Sequence, residues 1–292
     1  MVVFWGQPTN FTNATVVSTA SWDTCFSACL DSVFCVMAHG TADFCHHYKF
    51  GTVYQAEQLT SENGSKIAVK STQTTCPSSP QSTVEVDIQD PAASYTIYSS
   101  TVTYDGEKWE FSYSVKRYCP PGWAVFPRFN QDYCLQVFLN FKTFYAYANA
   151  SSECVNTHNG VMTGFETDEE RLWALNTIME NIGNETATNT VAVWISGVRK
   201  TSCQTAASEG TAACAGVDAF VFSDPYLDTK GGYLWGPAQP SSYTQDCILQ
   251  WAQKPGFQNI SYHGLVDDAS CKYTHDSFAS RRGYVCGKLP GI

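Results

Sequence analysis

This chain lacks long runs of any one kind of residue. No stretch of its 292 residues approaches the roughly 18 consecutive apolar residues of a membrane helix, and the closing Gly-Lys-Leu-Pro-Gly-Ile carries no hydrophobic anchor. There is no run of lysine or arginine and the formal net charge is -10, so the basic patch that nucleic acid or an anionic membrane surface requires is missing. Charged residues are only 15% and aromatics are 14%, which excludes wholesale disorder. No Cys-x-x-Cys occurs, so neither a thioredoxin-type motif nor a zinc ribbon is indicated. Gly-x-Ser-x-Gly, His-Glu-x-x-His and a phosphate loop are absent. The adjacent pairs Glu169-Glu170 and Asp267-Asp268 lack a spacing suited to acid–base work, and the chain reads as no enzyme. The opening Met-Val-Val-Phe-Trp-Gly has no basic n-region and no apolar h-region, so no signal peptide is visible and the start reads as truncated or misassigned.

What the chain has in abundance is cysteine, 13 in all: Cys25, Cys29, Cys35, Cys45, Cys76, Cys119, Cys134, Cys154, Cys203, Cys214, Cys247, Cys271 and Cys286. It also has six Asn-x-Ser/Thr sequons, at Asn10, Asn13, Asn63, Asn149, Asn184 and Asn259. Together these fit an oxidising compartment and a secreted, extracellular glycoprotein. The length suggests two domains.

Residues 1–75 form the first. Val2-Val3-Phe4-Trp5 reads as an opening strand. From Ser21, a candidate N-cap, apolar groups recur at helical spacing through Trp22, Cys25, Phe26, Cys29 and Leu30, which places both cysteines on one buried stripe. Strands follow around Cys35, around Cys45 and at Lys66-Ile67-Ala68-Val69-Lys70. These four cysteines allow three pairings, and spacing does not choose among them. His46 and His47 would point to opposite faces of a strand and so cannot easily share a metal ion; surface or edge histidines are the reading preferred.

Residues 76–117 read as a linker, Ser/Thr/Pro-rich at its start and open to O-glycans. It ends in a hairpin, with alternating runs at 95–104 and 109–115 on either side of Asp105-Gly106, expected to lead into the second domain.

The second domain, 118–292, has short apolar runs separated by polar loops. Around Cys154 lies a helix. Thr167 and Glu170 have the spacing of a capping box ahead of Leu172, Trp173, Leu175, Ile178, Met179 and Ile182, and Gly183 stops that helix. The acidic cluster 168–170 is explained by this helix start without a metal. Residues 191–196 read as a buried strand with Trp194 in the core.

The ordered landmarks Trp194-Ile195-Ser196-Gly197, Trp235, Gln239-Pro240, Asp246-Cys247, Asp267-Asp268-x-x-Cys271 and Tyr284-Val285-Cys286, with Cys119-Pro120-Pro121-Gly122-Trp123 and Cys134 ahead of them, resemble a C-type lectin-like domain over residues 118–290. The helix with nested cysteines in residues 1–75 resembles a PAN/apple-like module, in the PAN-3/CW variant that precedes C-type lectin domains in many roundworm secreted proteins. The fold class implied is α+β: a disulfide-rich chain of two domains, the second having two helices, antiparallel sheets and long loops.

The PAN resemblance implies the pairs Cys25–Cys45 and Cys29–Cys35. Lectin family order, with nearness in sequence, implies Cys119–Cys134, Cys154–Cys286, Cys203–Cys214 and Cys247–Cys271. The bridge Cys203–Cys214 would clip a small polar insertion, with an ordering effect of about 2–4 kcal/mol. Cys76 is left over, which points to an interchain disulfide, and so a covalent dimer, or to a free thiol.

In sugar-binding members a Glu-Pro-Asn or Gln-Pro-Asp triplet, a downstream Glu and an Asn-Asp pair hold calcium, and the sugar hydroxyls coordinate the same ion. The corresponding positions here are Gln239, Ser241, Gln245, Asp267 and Asp268, with Gln239, Asp267 and Asp268 the candidate metal ligands. The shell charge is then only about -2, so calcium should bind weakly or not at all. Tyr243, Trp251 and Tyr262 lie near enough in sequence to stack on a sugar or a partner, although Trp251 reads as core. The resemblance implies a secreted carbohydrate-binding protein that recognises surface or microbial sugars, its partners glycans or glycoproteins. The alternative is a calcium-independent protein-interaction or adhesion module, and the missing carboxylates at 241 and 245 favour that second reading.

Overall fold

The computed structural model describes residues 1–18, 21–72, 83–183, 185, 188–256, 262–275 and 280–292. Cys76, Asn184 and Asn259, singled out by the sequence, lie outside these residues. The chain divides into two units, whose main spans are Met1–Tyr118 and Cys119–Pro290.

Among the described residues the first unit is one sheet with one α-helix. Its elements are β1 (Val2–Pro8), β2 (Thr15–Val16), α1 (Trp22–Asp31), β3 (Cys35–Gly40), β4 (Cys45–Lys49), β5 (Gln55–Gln58), β6 (Lys66–Val69), β7 (Val84–Gln89), β8 (Thr96–Tyr104) and β9 (Lys108–Arg117). The strand order is β2-β4-β3-β6-β1-β5-β9-β8-β7. Ser21 caps α1: its hydroxyl accepts from the Thr24 amide while Thr24 bonds back to the Ser21 backbone. Cys25 and Cys29 are fully buried and tie the helix to the sheet through Cys25–Cys45 and Cys29–Cys35.

The hairpin at Asp105-Gly106 is present, but it belongs to the first unit. β9 pairs with β5 (Ala56 opposite Trp109), and β7 closes the edge beside β8. The stretch expected to be a linker therefore carries three strands of the N-terminal sheet. The physical reason is burial: Val84, Val86, Ile88, Val102, Trp109 and Phe111 alternate inward and join the core of Met37, Tyr48 and Ile67. The histidines correct another expectation. His47 is 9% exposed and its Nε2 bonds the Cys25 carbonyl, while His46 is half-buried beside His39 and Phe44. Among the described residues the one cluster of metal-ligand type is Cys25, Cys45 and His47, and the Cys25–Cys45 disulfide removes both thiolates.

The second unit contains β10 (Ala124–Arg128), β11 (Gln131–Leu139), α2 (Tyr147–Asn156), β12 (Val161–Met162), α3 (Asp168–Ile182), β13 (Thr190–Arg199), β14 (Phe220–Val221), β15 (Cys247–Gln253), β16 (Val266–Ala269) and β17 (Ser280–Lys288). The main path is β10-β11-β17-β13-β15-β16. The middle strands are covered on both faces, which explains why 191–195 read as an unbroken apolar run. Val191, Val193 and Ile195 face the core that holds Leu175, Ile178 and Ile182 of α3. Ala192 and Trp194 face the core that holds Tyr147, Ala150 and Cys154 of α2. Four disulfides close in this unit, Cys119–Cys134, Cys154–Cys286, Cys203–Cys214 and Cys247–Cys271.

The start of α3 departs from a capping box. Thr167 does accept from the Glu170 amide, but the Glu170 carboxylate accepts from the Glu166 amide and from a buried guanidinium. Arg128 meets it as a fork, with Nε to Oε1 at 2.8 Å and Nη2 to Oε2 at 2.7 Å. Arg128 Nη1 also reaches Asp224 at 2.8 Å, and all three side chains are 0% exposed. The acidic residue in the cluster that matters most is thus a core ion pair, invisible without its partner 42 residues earlier.

Candidate functional site

The loops beyond β13, β15 and β16 bring Ser241, Gln245 and Asp268 together around a side chain that the sequence did not mark, while Gln239 and Asp267 turn to Tyr262 and Trp251. In β13 the pairing with β15 slips between Ile195 and Val198, and Gly197 sits there at φ 141°, a conformation that side chains disfavour. This bulge re-aims the end of the strand, which carries Arg199. The strand order β13-β15-β16 then sets Arg199 beside Asp268, 69 residues away.

Arg199 Nη2 donates to Asp268 Oδ2 at 2.7 Å, and its Nε donates to the Gln245 carbonyl at 2.8 Å. Its guanidinium lies 4.6 Å over the Phe220 ring. The side chains of the ion pair are 4% and 0% exposed. Asp268 also accepts from the backbone amides of Ser241 (Oδ1, 2.8 Å) and Ser242 (Oδ2, 3.3 Å), so it anchors the loop that follows the cis Gln239-Pro240 bond. Burial pushes the Asp268 carboxyl above its ordinary value, while those amides and the Arg199 charge pull it back.

Asp267, its neighbour on β16, faces the other way. Its Oδ2 accepts from the Trp251 indole at 3.0 Å, and its Oδ1 is buried with no partner. Burial, reinforced by the Asp268 charge, pushes its pKa up to about 6. Gln239 Nε2 bonds the Tyr262 hydroxyl at 3.3 Å, and Gln239 Oε1 is likewise buried without a partner. Ser241 Oγ donates to Gln245 Oε1 at 2.8 Å. Of the aromatics, Trp251 is core at 7% exposure, Tyr262 spends its hydroxyl on the Pro237 carbonyl at 3.0 Å, and Tyr243 is half-buried.

These residues do not fit a calcium shell. Calcium takes six to eight oxygens. Asp268 has both oxygens engaged by donors, one of them cationic, and only Gln239 Oε1 and Asp267 Oδ1 remain free of hydrogen bonds. The Arg199 guanidinium neutralises one of the two carboxylates, where the resemblance would have the ion.

A cleft of about 460 Å³ opens next to this pair. Phe220, under the Arg199 guanidinium, lines it together with Lys200, Val221, Asp228 and Lys230. Lys200 Nζ donates to the Asp218 carbonyl (2.6 Å) and Lys230 Nζ to the Asp228 carbonyl (2.7 Å), leaving each ammonium with donors to spare.

Residues 125–289, more than half of the chain, match the family model described as C-type lectin domain-containing protein 141/158. The chain belongs to this family. Residues 1–71 match the model of a PAN-like domain, so the order is PAN-like, then lectin-like. No curated protein matches the chain closely enough to count as a relative. Among solved structures, the crystal structure of human lithostathine is similar at 18% identity, covering 59% of this chain and 90% of that one, with a TM-score of 0.37. Membership of the lectin-domain family fits a recognition role rather than catalysis, and among the described residues no helix is long and apolar enough to cross a membrane.

The Asp267 carboxylate, with one oxygen on Trp251 and the other buried without a partner, gives a direct test of the lectin-like site. A pKa raised in the folded state means that the group favours folding at low pH and that this contribution is lost as pH rises through about 6. Asp267→Asn keeps an acceptor for Trp251 and removes the buried charge. It is expected to stabilise the fold by about 1–3 kcal/mol at pH 8 and to change little at pH 4, as read by paired denaturant titrations. Equal stability of the two proteins at pH 8 would contradict this account of Asp267.

Proposed function

We propose that the chain is a secreted recognition protein whose lectin-like unit binds glycans without calcium. The observation that carries this reading is the buried ion pair between Arg199 and Asp268, which supplies from within the chain the kind of positive charge that calcium supplies in sugar-binding C-type lectins. The loop of Ser241 and Ser242 is held by Asp268 directly, so it needs no ion to keep its shape. The neighbouring cleft offers what a sugar uses: ammonium donors, carboxylate acceptors for hydroxyl protons, and the apolar flank of Val221. Six disulfides support secretion, and catalysis forms no part of the reading.

One observation favours a protein partner instead. Val198 and Val221 lie opposite each other across β13 and β14, and are 40% and 57% exposed, a small apolar patch at the cleft. The full chain on a glycan array, run once with calcium and once with a chelator, separates the readings. The same glycans bound in both runs is the expected result. Binding lost in chelator would overturn calcium independence, and a blank array would move the weight to the protein partner.

A further inference from the structure

The first unit carries a second groove, of about 450 Å³, within the range of small-ligand sites at roughly 300–1,000 Å³. Two sequon asparagines, Asn10 and Asn13, line it together with Thr9, Thr52, Tyr54 and Glu110. Tyr54 is 64% exposed and is fixed edge-on to Tyr113 at 5.9 Å. Tyr113 is itself held by donating its hydroxyl to the Val53 carbonyl at 2.5 Å. Asn13 is exposed, and its Nδ2, the atom that a glycan would occupy, is directed at the Thr52 carbonyl at 3.5 Å inside the groove lining. Asn10 is arranged differently: its Oδ1 accepts from both the amide and the hydroxyl of Thr12, each at 2.8 Å, which folds that side chain onto its own turn.

The geometry points to this groove as the seat of the chain's own glycan, carried on Asn13, with the first N-acetylglucosamine rings lying along Tyr54. Attachment replaces one N–H bond of Asn13 Nδ2 with a bond to the anomeric carbon of an oligosaccharide delivered on a lipid diphosphate by the secretory transferase. The diphosphate leaves with the electron pair of the broken C–O bond, and the amide proton passes to solvent. Asn13 and the Thr52 carbonyl that its Nδ2 faces both line the groove, so the linkage starts at the groove. The apolar face of a pyranose matches an exposed phenol ring, and Glu110, which accepts from Gln55 Nε2 at 3.4 Å, keeps acceptor capacity for sugar hydroxyl and acetamido protons. On this account the exposed Tyr54 is a covered aromatic in the mature protein. The inference rests on the secreted reading only because the modification requires that route.

The test uses the full chain, expressed through the secretory pathway of a eukaryotic host. This keeps the docking question separate from whether the natural protein is secreted. Mass analysis of peptides should show Asn13 occupied. An amidase should release this glycan several-fold more slowly from the folded protein than from the denatured one. Complete release should lower the melting temperature by roughly 2–6 °C. Tyr54→Ala with the glycan in place should reproduce most of that drop and speed the release, and removing the glycan from that variant should add little. Enzymatic release keeps the test valid even if Asn13→Gln fails to fold. An unoccupied Asn13, or release that changes neither melting temperature nor hydrogen exchange at residues 52–55, overturns the assignment. So does a Tyr54→Ala variant whose only change is loss of self-association, since the occupant would then be a second copy of the chain.

Discussion

Arg128→Ala is expected to cost the second unit about 3–5 kcal/mol, enough to leave a large part of it unfolded at body temperature. The guanidinium makes hydrogen bonds to four groups at once: the Glu170 carboxylate, Asp224, Thr163 Oγ1 and the Gly164 carbonyl. Its removal leaves two fully buried carboxylates facing a cavity with no counter-charge. Arg128→Lys should rescue little, because an ammonium cannot make the fork to Glu170 and still reach Asp224. The measurement is denaturant unfolding of the full chain followed by tryptophan fluorescence. Near-wild-type stability of Arg128→Ala would show that the network does not hold this unit together. Glu170 would then be only the helix-start residue that its spacing suggests.

Arg199→Ala should be nearly as costly, at about 2–4 kcal/mol, and should also change what the loops can bind. It strands Asp268 in the interior with only the Ser241 and Ser242 amides for company. In a double-mutant cycle, Arg199→Ala and Asp268→Ala should be strongly non-additive, because each single change leaves the other charge unpaired. The site also gains the carboxylate that the guanidinium had neutralised. Millimolar calcium is therefore expected to raise the melting temperature of Arg199→Ala while leaving the parent chain unmoved. Additive costs in the cycle, or equal calcium responses, would mean that Arg199 does not stand in for the ion.

How far the sequence discloses all this depends on the range of each interaction. The helix α1 and its Ser21 cap are legible because cap and stripe are local signals, a few residues apart. The β8–β9 hairpin is legible for the same reason, since Asp105-Gly106 marks its own turn. Its destination is not. Alternation says which face of a strand is buried, not which strand lies alongside, and β5 (Gln55–Gln58), which accepts β9, is too short and polar to be noticed. At the site, Gln239, Ser241, Gln245, Asp267 and Asp268 stand out by order along the chain, and the structure joins Ser241, Gln245 and Asp268 in one set of hydrogen bonds with Arg199. What order along the chain does not show is that Asp267 and Asp268 turn to different partners, the Trp251 indole and the Arg199 guanidinium. Arg199 itself carries no local mark. Only the β13-β15-β16 pairing and the bulge at Gly197 make it part of the site, and both are products of the fold. Arg128 escapes notice for the same reason, its partners lying 42 and 96 residues away.

The central claim is that Arg199, and not calcium, completes the loop site. Calorimetric titration of calcium into the full chain, purified with its disulfides intact, tests it most directly. The account predicts no binding heat and an unchanged melting temperature up to millimolar calcium. A saturable heat in the micromolar to low-millimolar range, lost in Asp267→Ala/Asp268→Ala, would contradict it and return the site to the calcium-dependent lectins.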